Sequence, residues 1–187
     1  MSVRIIAGAH RGRRLVTPAG EHVRPTKDIV REAGFSALDA RNLLVDAHVL
    51  DLYSGSGAFG IEALSRGATR AVLVERDRHA LAAIRQNIDK LGIGGEARVV
   101  NADVVRFVGG PPPVDAPFDV VFADPPYETS DDGVTALVAA LGRPGWVADD
   151  AAVVIERPAR NPVAPPPGWQ IGWSRGFGDT LLAFCFR

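Results

Sequence analysis

Between residues 47 and 155, short apolar runs alternate with segments of helical periodicity, and this alternation constrains the fold more than any other feature. Val49-Leu50-Asp51-Leu52 reads as a buried strand, followed by a glycine turn and a helix through Ile61, Leu64 and Ser65. Arg70 to Val74 is a second strand. From His79 to Leu91 the spacing predicts a helix with Leu81, Ile84, Ile88 and Leu91 on one face, ended by Gly92. Ala97 to Val100, Phe118 to Ala123 and Ala151 to Ile155 are further strands. Asp131 to Leu141 is a helix with Val134, Leu137, Val138 and Leu141 inward. Trp169 to Trp173 and Leu181 to Phe186 flank Gly176 and Gly178 and read as a closing antiparallel hairpin. Strands apolar on both faces, alternating with helices, predict an α/β fold with a mostly parallel, Rossmann-like sheet.

Ahead of this region, Val3-Arg4-Ile5-Ile6 and Arg13-Arg14-Leu15-Val16 are short β-like runs around a turn-rich Gly8-Ala9-His10-Arg11-Gly12. Pro25-Thr26 opens a helix with Thr26 as N-cap and Ile29, Ala33 and Ala37 spaced four apart. The expected division is a small hairpin-and-helix extension over residues 1–45 and a main domain over 46–187. A chain of 187 residues has room for one domain with such an appendage. The Pro-rich stretches 109–113 and 158–168 are connectors, too short to be interdomain linkers, and no internal repeat is present. No apolar run approaches the roughly 20 residues of a membrane span, and Met1-Ser2-Val3-Arg4-Ile5-Ile6 builds no signal-peptide core. These features predict a cytoplasmic protein with no membrane partner.

The net charge of −1 argues against a polyanion partner only until it is divided. Residues 1–31 carry seven Arg or Lys against two acids, a net +5, which leaves −6 for the other 156 residues. A basic arm on an acidic body points to a polyanion contact at one end. Arg outnumbers Lys 19 to 2, so a general bias toward arginine competes with that reading.

The first strand of the main domain runs into Asp51-Leu52-Tyr53-Ser54-Gly55-Ser56-Gly57-Ala58-Phe59-Gly60. Gly55, Gly57 and Gly60 match the G-x-G-x-x-G spacing that lets a nucleotide cofactor approach the backbone. Glu75 ends the second strand, where a carboxylate can accept from both ribose hydroxyls. Asp51 would disfavour a pyrophosphate but suits the cationic amino-acid portion of S-adenosylmethionine. Asn101-Ala102-Asp103 follows the third strand, within reach of an adenine edge. Asp51 as a helix-capping acid and Asp103 as an N-cap are the structural alternatives.

The fourth strand ends in Asp124-Pro125-Pro126-Tyr127 on the same sheet edge. Two prolines stiffen the turn and remove two N–H donors, leaving acceptors: the Asp124 carboxylate and the Pro125 carbonyl. That set suits an exocyclic amino group with two protons to donate, and Tyr127 offers a flat face for a base. Catalysis by such a site comes from positioning and electrostatics, with the proton leaving to Asp124 or to water.

With these residues in place, the chain resembles the Rossmann-like S-adenosylmethionine-dependent methyltransferases, and among them the bacterial RsmD family of 16S rRNA guanine-N2 methyltransferases. The likeness runs along essentially the whole chain. It rests on Arg4-Ile5-Ile6-Ala7-Gly8, His10-Arg11-Gly12-Arg13, Arg24-Pro25-Thr26, Val30-Arg31-Glu32, the glycine turn, Glu62-Ala63-Leu64-Ser65-Arg66-Gly67-Ala68, Val74-Glu75 and Asp124-Pro125-Pro126-Tyr127. The resemblance implies S-adenosylmethionine as cofactor and, as partner, 16S rRNA within the small ribosomal subunit or an assembly intermediate, with the enzyme a monomer. It implies Asp51, Tyr53, Gly55, Gly57, Glu75, Arg76, Ala102, Asp103 and Thr26 at the cofactor, and Asp124 to Tyr127 at the target amine. Arg4, His10, Arg11, Arg13, Arg14, Arg24 and Lys27 would face RNA. Two departures are Tyr53, where Phe is common, and Gly34, where a bulkier apolar residue is usual.

Competing readings are a DNA adenine-N6 methyltransferase, an NAD-dependent oxidoreductase, a protein-glutamine methyltransferase and a non-catalytic RNA-binding module. The first lacks room for a target-recognition domain. The second leaves the Asp-Pro-Pro-Tyr loop unexplained, and the third has no need of an Arg-rich hairpin. For the fourth, Asp124→Ala would change nothing. His10, His22, His48 and His79 have no metal-ligand spacing, so no metal is expected. Cys185, Trp146, Trp169 and Trp173 are read as packing residues.

Overall fold

The computed structural model describes residues 3–18 and 25–187, the side chains of 25–27 excepted. Seven strands form one sheet: β1 (His48–Leu52), β2 (Arg70–Glu75), β3 (Ala97–Asn101), β4 (Phe118–Ala123), β5 (Val147–Pro158), β6 (Gln170–Phe177) and β7 (Thr180–Phe186). Their spatial order is β3-β2-β1-β4-β5-β7-β6. The first five strands pair in parallel, and β7 inserts antiparallel between β5 and β6. Strand order therefore reverses between β1 and β4, which opens a crevice at their carboxyl ends.

Alternation along each strand divides the core. Val49, Leu73, Val120, Phe122 and Val154 face one side, and Leu50, Val72, Val121, Val153 and Ile155 face the other. Helices α1 (Pro25–Asp39), α2 (Ala58–Ser65) and α3 (Arg78–Leu91) cover the first side; α4 (Val104–Gly109) and α5 (Asp131–Leu141) cover the second. Sequence sets their ends. Asp77 Oδ1 accepts from the N–H groups of His79 and Ala80 at 2.9 Å each, Ser130 caps α5, and Gly92 at φ +72° closes α3. Cys185 and Trp146 are fully buried, and burial pushes the Cys185 thiol up to about 12.

Three expectations need correction. The buried stripe of α1 is Val30, Gly34, Phe35 and Leu38, one position on from Ile29, Ala33 and Ala37, and Ile29 is 56% exposed. Gly34 lets α1 close on β7, since a Cβ there would sit 2.9 Å from Leu182 Cδ2. Helix α4 was not expected from the pattern. Strands β5 and β6 are longer than the apolar runs that announced them, because edge and solvent-facing polar residues extend the ladder. No described helix is long and apolar enough to cross a membrane.

Candidate active site

A cleft of about 340 Å³ opens at the carboxyl ends of β1, β2, β3 and β4. Its walls include Tyr53, Glu75, Arg76, Ala102, Asp103, Asp124 and Pro126. Tyr53 starts the turn after β1 at φ +59°, a left-handed conformation that a bulky residue adopts only under constraint. Gly55 and Gly57 follow at φ +55° and +79°. The turn folds back over Asp51, which is 2% exposed and accepts from the Gly60 N–H at 2.9 Å. Asp51 thus caps the first turn of α2 from beneath the loop. Burial pushes its carboxyl up to about 7, the Gly60 bond opposes this, and the charges of Asp124 and Glu75 add to the rise. Three carboxylates from three strands therefore share one electrostatic neighbourhood.

Glu75 is held by backbone. Oε2 accepts from Gly55 N at 2.9 Å, and Oε1 from Arg76 N and Asp77 N at 2.7 and 2.9 Å. Those bonds use three of a carboxylate's roughly four acceptor sites. Asp103 N-caps α4 through Arg106 N at 3.1 Å, while its other oxygen meets Arg76 NH1 at 2.9 Å across the cleft mouth. Asp124 and Pro126 close the cleft on the β4 side. Tyr127 is 62% exposed beyond them, with the Arg160 guanidinium 4.9 Å from its ring centroid and donating to its hydroxyl.

The N-terminal hairpin is tied by an Arg4–Arg14 bridge and by Ile5 N to Arg13 O and Leu15 N to Val3 O, at 3.0 and 2.9 Å. It docks on α2 and α3 through buried polar groups. Glu62, 0% exposed, accepts from Ile6 N at 2.7 Å, Ala7 N at 3.0 Å and Arg66 Nε at 2.7 Å. Ser65 Oγ accepts from His10 N and donates to Ala7 O. Asn87 brackets Val16, accepting from its N–H at 2.7 Å and donating to its carbonyl at 2.9 Å. The side chains of Arg4, Arg11, Arg13 and Arg14 remain at the surface.

The family described as Conserved hypothetical protein 95 matches residues 3–186. Ribosomal RNA small subunit methyltransferase D of Escherichia coli (strain K12) is 38% identical over 170 residues, covering 90% of this chain and 82% of that protein. Its namesake from Haemophilus influenzae is 33% identical over 171 residues, 90% of this chain and 86% of that one. The solved structure of the Escherichia coli protein yhhF superposes with a TM-score of 0.85 at 36% identity, covering 100% of this chain and 98% of that one. The chain belongs to the RsmD family of rRNA methyltransferases.

Of the residues that the RsmD resemblance places at the cofactor, Tyr53, Glu75, Arg76, Ala102 and Asp103 share the cleft with Asp124 and Pro126. Asp51, Gly55 and Gly57 form the floor and turn beside it instead of its walls. Both structural alternatives hold at once, since Asp51 and Asp103 each cap a helix with one oxygen. Arg24 and the side chains of Thr26 and Lys27 lie outside the described residues. Sequence reasoning missed Glu62, Ser65 and Asn87 as anchors of the hairpin. Polar side chains interrupting the inner faces of α2 and α3 were the available signal. It also missed Arg160, which no periodicity links to Tyr127.

Proposed function

We propose that this chain transfers a methyl group from S-adenosylmethionine to the exocyclic N2 of one guanosine in 16S rRNA of the small ribosomal subunit, acting as a cytoplasmic monomer. One observation carries the reading: a single cleft at the strand-order reversal is lined both by Tyr53, Glu75 and Asp103 and by Asp124 and Pro126. Donor and acceptor of a methyl group have to meet at such a point. The residues fit a sulfonium cofactor. A volume of about 340 Å³ lies within the range of small-molecule sites, about 300–1,000 Å³. The coupled carboxylates Asp51, Glu75 and Asp124 favour a cation there and oppose the pyrophosphate of NAD. When bound, S-adenosylmethionine supplies an electrophilic methyl group.

The chain's residues then position the amine. Asp124 and the Pro125 carbonyl accept hydrogen bonds from its two N–H groups, which turns the nitrogen lone pair toward the methyl. As the N–C bond forms at the expense of the methyl–sulfur bond, whose electron pair stays on sulfur, the nitrogen acidifies, and Asp124 or water takes one proton. Tyr127 stacks the guanine ring. Residues 1–45 serve as the RNA-contacting extension of the domain at 46–187, with Arg4, His10, Arg11, Arg13, Arg14, Arg24 and Lys27 toward RNA and Thr26 toward the cofactor.

The test is methyl transfer from tritiated S-adenosylmethionine to small subunits from a strain lacking this enzyme, with nucleoside mass spectrometry of the product. Label in N2-methylguanosine at one position is the expected result. Label in adenosine, in protein or nowhere overturns the assignment.

A further inference from the structure

The end of β5 and the chain after it hold the segment from Tyr127 to Asp131 at three points. Arg157, 4% exposed at the end of β5, donates from NH2 to Thr129 O at 3.1 Å and to Asp131 Oδ1 at 2.9 Å. Asn161 Nδ2 donates to the same Asp131 oxygen at 3.1 Å. Between them, Arg160 brings its guanidinium to the hydroxyl end of the Tyr127 ring, 4.9 Å from the centroid, and donates to the Tyr127 hydroxyl. Arg157 itself is locked in the β5–β7 ladder opposite Leu181, so the grip comes from a rigid element. A loop carrying an exposed aromatic is otherwise free to turn that ring through many orientations.

We infer that Arg160 is a positioning residue of the target-base site: it holds the Tyr127 ring by its hydroxyl end and leaves the faces open, so that the target base stacks on a ring of fixed orientation. The inference rests on the proposed guanine-N2 reaction and adds to it a residue outside the Asp-Pro-Pro-Tyr motif. A guanidinium suits this role because its planar, always-charged fork donates to the ring's hydroxyl in a fixed geometry. Lys would keep the charge and lose the planar contact.

The experiment has two arms. In the first, the protein carries 3-fluorotyrosine, and its two tyrosines, Tyr53 and Tyr127, give two fluorine resonances. Arg160→Ala should shift and narrow the Tyr127 resonance and leave that of Tyr53 in place, and Arg160→Lys should do the same. In the second, Arg160→Ala should lower kcat/KM for small subunits about tenfold while cofactor affinity and the melting temperature stay unchanged. Added to Tyr127→Ala, it should cost nothing further, because its effect runs through the ring. An unmoved Tyr127 resonance overturns the inference. So does an Arg160→Ala loss that adds fully to that of Tyr127→Ala, which would mark Arg160 as an independent RNA contact. Absence of methyl transfer by the unaltered enzyme counts against the proposed reaction alone, and the fluorine arm still decides the positioning.

Discussion

At the residue scale, the acidic groups around the cleft divide their work between holding the loop and meeting a ligand. Asp124 is placed by β4 at the cleft wall, and its proposed task is to orient an amine. Asp124→Ala should therefore lower methyl transfer by at least about 10²-fold while changing cofactor affinity only a few-fold. Tritium transfer and titration calorimetry on one preparation separate the two, and near-normal turnover would rule out the amine clamp. Asp51 gives a pH signature. Its carboxyl is pushed up to about 7, first by burial. The folded chain then holds a proton that the unfolded chain has released, so this group lowers stability progressively as pH rises from about 4 to about 7, and no further above that. A bound cation favours the carboxylate, so S-adenosylmethionine affinity should strengthen as pH rises through about 7, with proton release. Asp51→Asn keeps the acceptor for Gly60 and removes the charge. It should melt higher than the native chain at mildly alkaline pH without cofactor, and bind cofactor with a flat pH dependence. Scanning calorimetry and calorimetric binding in buffers of different ionisation enthalpy read both effects.

At the element scale, the N-terminal hairpin shows what a sequence pattern conveys and what it omits. Though they meet at a single bridge, Arg4–Arg14, and form no strand among the described residues, its two arms were legible from β-like runs around a glycine turn. Its seat was not, because the seat is a set of backbone donors meeting Glu62, Ser65 and Asn87 from elements some 50 to 70 residues away. Gly8 marks the closest approach: at φ +81°, a Cβ there would stand 1.6 Å from the Ser65 carbonyl oxygen. Gly12 has a similar φ of +80° with nothing within 4 Å. Gly8→Ala should thus cost about 2–3 kcal/mol in urea unfolding and weaken RNA binding, and Gly12→Ala only about 1 kcal/mol. Equal losses would show that the backbone conformation, not the docking, is what matters. The same limit explains the helices. α3 and α5 were legible because their apolar spacing is long and regular. In α1 the buried stripe contains Arg31 and Gly34, which periodicity counts as outward, so the face was placed one residue early. Six-residue α4 is too short to show a period. In the site, the residues that line the cleft were legible because each stands at or just past the end of a strand, whereas Arg160 meets Tyr127 across two loops that only the fold brings together.

At the scale of the whole molecule, the basic arm is narrower than its charge count. Arg31 is buried, donating to Arg4 O at 2.6 Å and pairing with Asp28 at 3.1 Å, so its charge supports the hairpin instead of facing a partner. Burial also lowers its pKa. Arg13 spends one donor on Lys90 O, and Lys90 Nζ returns one to Arg14 O, which joins the end of α3 to the arm. The exposed cations thus form a compact patch on the hairpin and α3, carried by a body of net negative charge. The net charge of −6 on that body does not attract RNA, so on the proposed rRNA substrate register should lean on the cations of the hairpin. Replacing Arg11, Arg13 and Arg14 together by Ala should reduce the slope of log affinity against log salt by about 2, at roughly 0.7 per phosphate lost. Anisotropy titrations of a labelled rRNA fragment over a potassium chloride series read this slope, with cofactor affinity as a control on folding. An unchanged slope would move the electrostatic contact off the hairpin, and a collapsed cofactor affinity would mean that the arginines hold the hairpin in place instead of gripping RNA.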